Sequence, residues 1–171
     1  MHKTYSGEVL WLLLSLMVFL SGCSSGTPVA VKDLAWNVSV VKSEIKDALQ
    51  SVETVTQYNG TKTNVEHNQA PNSGNVFLLV NLNIRKTGSQ ADSFEWKLLS
   101  VLDQAGKTYA RHENDTFLEQ YDYSPRLTGL VIRFGEDEGW VCFEIPAAAA
   151  KGQLTLTYQG SASQQQITLR P

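Results

Sequence analysis

The fold is decided by an apolar stretch near the middle of the chain, VFLLVNLNI at residues 76–84. Its even-numbered residues are all apolar, which is the two-residue period of a β-strand with one face in a core. The opposite face is apolar at Phe77 and Leu79 and polar at Asn81 and Asn83. The pattern predicts a central strand that is covered on both faces at its start.

Shorter stretches with the same alternation lie on both sides of the central strand. Turn-forming residues separate them, among them Asn59–Gly60, Asp103–Gly106 and the acidic segment Gly135–Gly139. Seven to nine short strands without a long helix indicate an antiparallel sandwich or barrel. About seven strands are typical of an immunoglobulin-like sandwich, so we predict an all-β, immunoglobulin-like antiparallel β-sandwich over residues 34–171. The other predicted strands include residues 36–40, 94–102, 107–109, 130–134, 141–145, 154–158 and 167–169.

Several segments interrupt this alternation. Residues 43–52 combine helical spacing of apolar residues with a β-rich continuation, and we interpret them as a strand with a loop or a short helix. Residues 60–75 are polar and contain Pro71, which favours a long surface loop. The apolar residues change parity at Leu99, which predicts a bulge or break near Leu98–Leu99 because a one-residue slip exchanges the two faces of a strand. Residues 112–126 are polar and aromatic, as in a long connection with one helical turn.

A short apolar segment, residues 9–20, precedes the sandwich and leads into Leu20-Ser21-Gly22-Cys23. It is shorter than the about 20 apolar residues that span a bilayer, and small residues follow it, as in a secretory signal peptide. These four residues resemble the bacterial lipoprotein signal, in which Leu, a small residue and Gly or Ala precede a cysteine. The resemblance implies cleavage before Cys23, diacylglycerol on its thiol, and a further acyl chain such as palmitate on its new amino group. The alternative is an ordinary signal peptide with a chance cysteine.

This interpretation divides the chain into a lipoprotein signal peptide at residues 1–22, a lipidated tether at residues 23–33 and the sandwich domain. It predicts a location at the cell membrane, on the extracytoplasmic face, with the lipid at Cys23 as the membrane contact. The net charge of −3 and the pI of about 5.6 leave no basic surplus for binding nucleic acid. With Cys23 lipidated, Cys142 is the only other cysteine, so we expect no intramolecular disulfide. We also expect a monomer without a cofactor.

Four motifs occur in an order that resembles a known family. They are GNVFLLVNLNI at residues 74–84, a D-x-x-G-x-x-Y hairpin at residues 103–109, FEIP at residues 143–146 and L-x-L-x-Y at residues 154–158. The order is similar to that in a family of bacterial extracytoplasmic lipoproteins of unknown function, whose name likens it to telomeric repeat-binding factor 2. The usual Asn-x-Gly after the central strand is replaced here by Lys86-Thr87-Gly88. The resemblance implies an immunoglobulin-like domain and an extracytoplasmic location, and it implies no catalytic residue.

Three groups of residues have side chains of the kinds that bind metal ions or act as nucleophiles. His112, Glu113 and Asp115 are suitable donors for a cation, but we interpret them as a solvated loop. The acidic residues 136–138 lack the alternating oxygen spacing of a calcium loop, and we interpret them as a charged hairpin tip. Cys142 has no activating base beside it and is interpreted as a packed thiol. We therefore expect no metal site and no enzymatic activity.

The aromatic residues around the long connection are the candidates for a binding surface. Aromatic side chains are enriched at interface hot spots, and the long loops of sandwiches carry recognition, so Tyr121, Tyr123 and Trp140 are the predicted binding residues. The alternative is that these rings pack over the end of the sandwich. The leading hypothesis is a non-enzymatic binding module that contacts an envelope or extracellular protein or a polymer. The others are a regulator or inhibitor of an extracytoplasmic enzyme, with the loop at residues 112–126 inserted into a cleft, and a small-ligand or metal carrier.

Overall fold

The computed structural model describes residues 36–88, 94–127, 136–159 and 164–171. Within these ranges the regular structure consists of β-strands and three short 3-10 helices. The strands are β1 (Trp36–Lys46), β2 (Leu49–Thr56), β3 (Lys62–Gln69), β4 (Asn75–Lys86), β5 (Leu99–Leu102), β6 (Thr108–Ala110), β7 (Glu136–Pro146), β8 (Thr155–Gln159) and β9 (Gln164–Thr168). The 3-10 helices are Trp96–Leu98, Thr116–Tyr121 and Ala149–Lys151.

The strands form antiparallel sheets, which confirms the predicted all-β sandwich. One sheet has the order β1-β4-β7, a second has the order β6-β5-β8-β9, and β2 pairs with β3 alone among the described residues. The nine strands of the described residues lie within the predicted number. The predicted strand at residues 130–134 and the predicted signal peptide and tether fall outside the described residues. No helix in the described part of the chain is long and apolar enough to cross a membrane.

The main core lies between the three-stranded and four-stranded sheets. The even-numbered side chains of β4, from Val76 to Ile84, are buried in it, as the alternation predicted. β7 contributes Val141, Phe143 and Ile145 from one face, and β8 contributes Leu156 and Tyr158. These side chains are excluded from water, so their apolar surface is the principal stabilising contribution to the fold.

A second, smaller core covers the outer face of the three-stranded sheet. The odd-numbered β4 residues Phe77 and Leu79 and the β7 residue Cys142 are buried there. Leu118, from the 3-10 helix Thr116–Tyr121, and Leu49, from the start of β2, pack over them. The prediction that β4 is covered on both faces at its start is therefore confirmed. We call this group the outer cluster; its members are Leu49, Phe77, Leu79, Leu118, Tyr121, Trp140 and Cys142, with Phe117 and Tyr123 packed against it.

The prediction of a long surface loop over residues 60–75 is wrong. Lys62–Gln69 is a strand that pairs along its whole length with β2, from Leu49 opposite Gln69 to Thr56 opposite Lys62. The ambiguity of residues 43–52 is also resolved, because β1 continues to Lys46 and β2 begins at Leu49 without an intervening helix. Both faces of β3 are largely exposed, so its sequence carries no apolar alternation although its backbone is fully paired.

Two further predictions about segments are corrected. Trp96–Leu98 is a turn of 3-10 helix rather than part of a strand, and β5 starts at Leu99, which confirms the break predicted there. The acidic segment predicted as a hairpin tip belongs to β7 from Glu136 onwards, and Glu136 lies opposite Arg85 of β4. The reason is that β4 extends to Lys86 and offers backbone partners to these acidic residues. The helical turn predicted within residues 112–126 is confirmed as Thr116–Tyr121.

Candidate interaction surface

The most exposed regular structure in the described residues is the hairpin of β2 and β3, which we call the ribbon (residues 49–69). Only its first residue, Leu49, is inserted into the outer cluster, while most other ribbon residues are exposed. A hydrogen bond of 3.0 Å from Thr54 to Asn64 joins the two strands, and so does a contact of 3.2 Å between Glu53 and His67. An isolated two-stranded hairpin is marginally stable in water, so the ribbon would gain stability from any partner that covers it.

The tip of the ribbon is a tight turn with a protruding aromatic ring. The Gln57 N–H donates to the Thr61 carbonyl at 2.8 Å, and the Gly60 N–H donates to the Gln57 carbonyl at 2.9 Å. Gly60 has a φ of 81°, which a side chain rarely tolerates, and the turn predicted at Asn59–Gly60 is thereby confirmed. Tyr58 is completely exposed at this tip, and its ring is available to a partner.

Exposed valines lie along the ribbon. Val52 is 63% exposed on one face, and Val55 and Val65 are 40% and 38% exposed on the other. Single apolar side chains on a surface are ordinary, but apolar patches bordered by polar residues mark interaction sites. The exposed large apolar side chains of the described residues are these three valines, Tyr58 and Val41. The ribbon thus carries four of the five exposed large apolar side chains of the described residues, and we take it as the candidate interaction surface.

A groove of about 720 Å³ separates the base of the ribbon from the 3-10 helix Thr116–Tyr121. Asp122 ends this helix with a φ of 67°, in the left-handed region, and its N–H donates to the Leu118 carbonyl. The carboxylates of Glu53 and Asp122 and the amides of two glutamines make the groove polar and acidic, which suits a polar or cationic group. The lining residues are Gln50, Ser51, Val52, Glu53, His67, Gln120 and Asp122.

The structure brings the three predicted binding residues together in the outer cluster, where they pack. Tyr121 and Trp140 are buried, and Tyr123 stands edge-on to Trp140 with the ring centroids 4.9 Å apart. The Tyr123 hydroxyl donates to Glu44 at 3.3 Å. Burial, followed by the nearby Glu44 carboxylate, raises the pKa of Tyr123 to about 12. A binding role for these rings stays a prediction, and only Tyr123 has appreciable exposed surface for it.

The interpretation of His112, Glu113 and Asp115 as a solvated loop is wrong for Asp115, which is buried in an ion-pair cluster. Its carboxylate accepts hydrogen bonds from Arg111 at 2.7 and 2.9 Å and from Arg126 at 3.0 Å. The Arg111 guanidinium stacks on the Trp96 ring at 4.0 Å and donates to the Leu127 carbonyl at 2.6 Å. Among the described residues no group of three His, Cys, Asp or Glu side chains is placed to hold a metal ion. The cluster fixes the long connection to the sandwich.

Cys142 is a packed thiol, as predicted. It is completely buried in the outer cluster. Burial raises the pKa of its thiol strongly, and the carboxylates of Asp115 and Glu144 add to the shift. A thiol that is both inaccessible and protonated is not a nucleophile.

The ribbon is the part of the surface that sequence reasoning missed, although a signal for it was present. An Asn-Gly pair between stretches of β-branched residues is a strong short-range indication of a hairpin. Val52, Thr54, Val55 and Thr56 precede Asn59–Gly60, and Thr61, Thr63 and Val65 follow it. The polar residues at 66–69 and Pro71 outweighed this signal and led to the prediction of a loop.

The described residues define an antiparallel β-sandwich with an exposed ribbon. The chain belongs to the family described as a domain of unknown function (DUF4352), whose model matches residues 24–167. Its description mentions neither lipoproteins nor telomeric repeat-binding factor 2, so those parts of the resemblance stay predictions. No curated protein matches the chain.

Three solved structures are similar to this chain to different degrees. A conserved hypothetical protein from Bacillus anthracis is 12% identical with a TM-score of 0.51, over 80% of this chain and 89% of that one. An uncharacterized β-sandwich protein from Clostridium difficile 630 is 12% identical with a TM-score of 0.43, over 82% and 88% of the two chains. A protein of Bacillus subtilis described as a candidate lipoprotein is 14% identical with a TM-score of 0.43. The similarity covers 81% of this chain and 39% of that one. At 12% identity, the similarity to the Bacillus anthracis protein shows the fold alone.

Proposed function

We propose that the chain is a membrane-anchored extracytoplasmic lipoprotein whose sandwich acts as a non-enzymatic binding module at the bacterial cell envelope. The observation that carries the binding role is the ribbon, which holds exposed valines and a completely exposed tyrosine on paired strands. Its partner is an envelope or extracellular protein or a polymer. The acidic net charge argues against nucleic acid.

The lipid anchor is supported by the sequence before the sandwich. Leu20-Ser21-Gly22-Cys23 follows an apolar segment and matches the lipoprotein signal at each position. A single acyl chain binds membranes only marginally, whereas two or more anchor stably, because each buried methylene contributes about 0.8 kcal/mol. A lipidated Cys23 would therefore hold the domain at the membrane without a transmembrane helix.

The non-enzymatic character is supported by the state of the reactive groups among the described residues. Cys142 is buried and protonated, and Asp115 is committed to two guanidinium groups. The predicted alternative, an enzyme regulator that inserts residues 112–126 into a cleft, fits less well, because this segment is held by Asp115 and by Tyr121 in the outer cluster.

Substitution of the anchoring cysteine tests the location. We expect Cys23→Ser to abolish incorporation of labelled palmitate and to move the protein from the membrane fraction to the soluble fraction, since no acyl chain is then attached. Cys142→Ala is the matched control, because it removes the other cysteine and should leave both labelling and fractionation unchanged. A Cys23→Ser protein that still incorporates labelled palmitate would contradict the lipoprotein assignment.

A photo-crosslinking amino acid at the tip of the ribbon tests the binding role. Placed at Tyr58 in the full chain in cells, it should yield a discrete adduct with an envelope protein or polymer, identified by mass spectrometry. The control position is Ala105, which is exposed at the turn between β5 and β6 and should give at least about fivefold less adduct. Equal adducts at both positions, or adducts of this chain alone at Tyr58, would contradict an envelope partner at the ribbon.

A further inference from the structure

We propose that the outer edge of β3 pairs with the same edge of a second copy of this chain, forming a two-fold dimer through a four-stranded antiparallel sheet. The proposal goes beyond the envelope-binding role and does not depend on the lipid anchor. The proposal differs from the monomer expected from the sequence. Residues 60–75 were predicted as a loop, so no unpaired strand edge was expected there.

The first observation is the open edge. Among the described residues β3 pairs with β2 only, and β2 with β3 only. An unpaired edge presents a row of N–H and C=O groups that acts as a template for another strand. Natural sheets commonly protect such an edge with a proline, a bulge, a very short strand or charged side chains. β3 has eight residues in uninterrupted register with β2 and contains no proline, and its charged residues Lys62 and Glu66 have opposite signs.

The second observation is which backbone groups point outward. The hydrogen bond from Gln57 N–H to the Thr61 carbonyl makes these two residues a hydrogen-bonded pair. Hydrogen-bonded and non-hydrogen-bonded pairs alternate along an antiparallel ladder, so Thr63 and Val65 direct their backbone groups toward β2. Lys62, Asn64 and Glu66 therefore direct theirs toward the open edge, and their side chains share one face of the ribbon.

The third observation is that this edge is complementary in charge to itself. A two-fold axis at Asn64 places Asn64 opposite its copy, and Lys62 opposite Glu66 of the second chain on both sides of the axis. No other antiparallel register of two copies of this edge sets Lys62 opposite Glu66. Neither residue has an ion-pair partner among the described residues, and opposite charges that face each other across strands stabilise the pairing.

The same register also places the exposed valines side by side. On the opposite face Thr63 lies across from Val65 of the second chain, and Val55 is the partner of Thr63 within each ribbon. Val55 and Val65 of both chains would thus line one continuous β-branched surface, in the arrangement that favours cross-strand packing. A marginally stable two-stranded hairpin becomes part of a four-stranded sheet, and independent stability requires three or more strands with an apolar face.

A single cysteine at the two-fold axis tests the geometry. The Cα atoms of facing residues in a hydrogen-bonded antiparallel pair lie about 5.5 Å apart, which is within the range of a disulfide. In cells that produce the full chain, Asn64→Cys should give a covalent dimer on a non-reducing gel after mild oxidation. Thr54→Cys is the matched control, because Thr54 faces Asn64 from β2 and lies one strand further from the axis. Equal dimer yields from the two variants would overturn the proposal.

Charge reversal then tests the register. In the Asn64→Cys chain, Lys62→Glu places like charges opposite each other twice and should lower the dimer yield about tenfold. Adding Glu66→Lys restores opposite charges and should restore the yield. Neither change breaks an ion pair within the described ribbon, so folding should be unaffected. A dimer that is insensitive to Lys62→Glu, or that the double reversal fails to restore, would refute the Asn64-centred pairing.

Discussion

Replacement of Val80 by Asp is expected to abolish cooperative folding of the sandwich. Val80 is completely buried in β4, between Ser43 of β1 and Val141 of β7. A carboxylate at this position has no partner, and burying an unpaired ionised group costs several kcal/mol. That cost is comparable to the whole stability of a domain, about 5–15 kcal/mol.

The same substitution on the ribbon provides the control. Val52→Asp changes a side chain that is 63% exposed, so its thermal unfolding curve should match that of the unmodified chain within a few degrees. Circular dichroism melts of the two variants, purified as the full chain in detergent, make the comparison. A cooperative melt of Val80→Asp at the temperature of the parent chain would show that β4 does not form the centre of the core.

We expect Asp115→Asn to destabilise the domain by about 3 kcal/mol. The amide keeps the shape of the carboxylate but leaves the largely buried Arg111 without a counter-charge and Arg126 with only the exposed Glu119, 3.7 Å away. Breaking a buried ion pair from one side typically costs about 3–5 kcal/mol. We expect the lower end of this range of destabilisation because the side chains of Arg111 and Arg126 remain 11% and 18% exposed. The midpoint of denaturant unfolding measures the change.

Asp122→Asn is the matched control for that change. Asp122 is exposed and adopts a left-handed conformation that asparagine also tolerates. Its stability should therefore lie within about 0.5 kcal/mol of the parent chain. If Asp115→Asn has an equally small effect, the ion-pair cluster is not what fixes the long connection.

The strands that the sequence predicted correctly are those whose side chains are buried in a core. β4 was recognisable because its two faces meet two different cores, so Val76, Phe77, Leu78, Leu79 and Val80 are apolar without interruption. β7 and β8 were recognisable for a related reason, since one face of each packs in the main core. Hydrophobic alternation in a sequence reflects the burial of side chains, so it identified the strands that have a buried face.

The ribbon was misjudged for the converse reason. Its strands are held by backbone pairing and have little burial, so the sequence of β3 was free to be polar, with Asn64, Glu66 and Asn68 on one face. Backbone hydrogen bonds form regardless of side-chain polarity, so the sequence pattern does not show them. The position of Glu136 in β7 is a similar case, because pairing with β4 continues after the core has ended.

The candidate site was only partly predictable. Tyr121, Tyr123 and Trp140 were identified as a group, and the structure brings them together in the outer cluster. Whether an aromatic ring packs inward or faces a partner depends on what lies opposite it. Here that includes Leu49 of β2 and Phe77 and Leu79 of β4, which are far from Tyr121 in sequence, and local pattern cannot supply this information. The pairing of Asp115 with Arg126 depends on tertiary structure in the same way.

The burial of Cys142 has a consequence for the conditions that the domain tolerates. It is the only sulfur-containing residue in the described ranges, since the chain has two cysteines and two methionines and the others are Cys23, Met1 and Met17. Oxidation proceeds through an accessible thiolate, and Cys142 offers neither access nor charge. The described residues therefore present no accessible sulfur for peroxide or a thiol-exchange enzyme to act on. The Cys142 thiol is expected to stay in the same state in reducing and in oxidising surroundings.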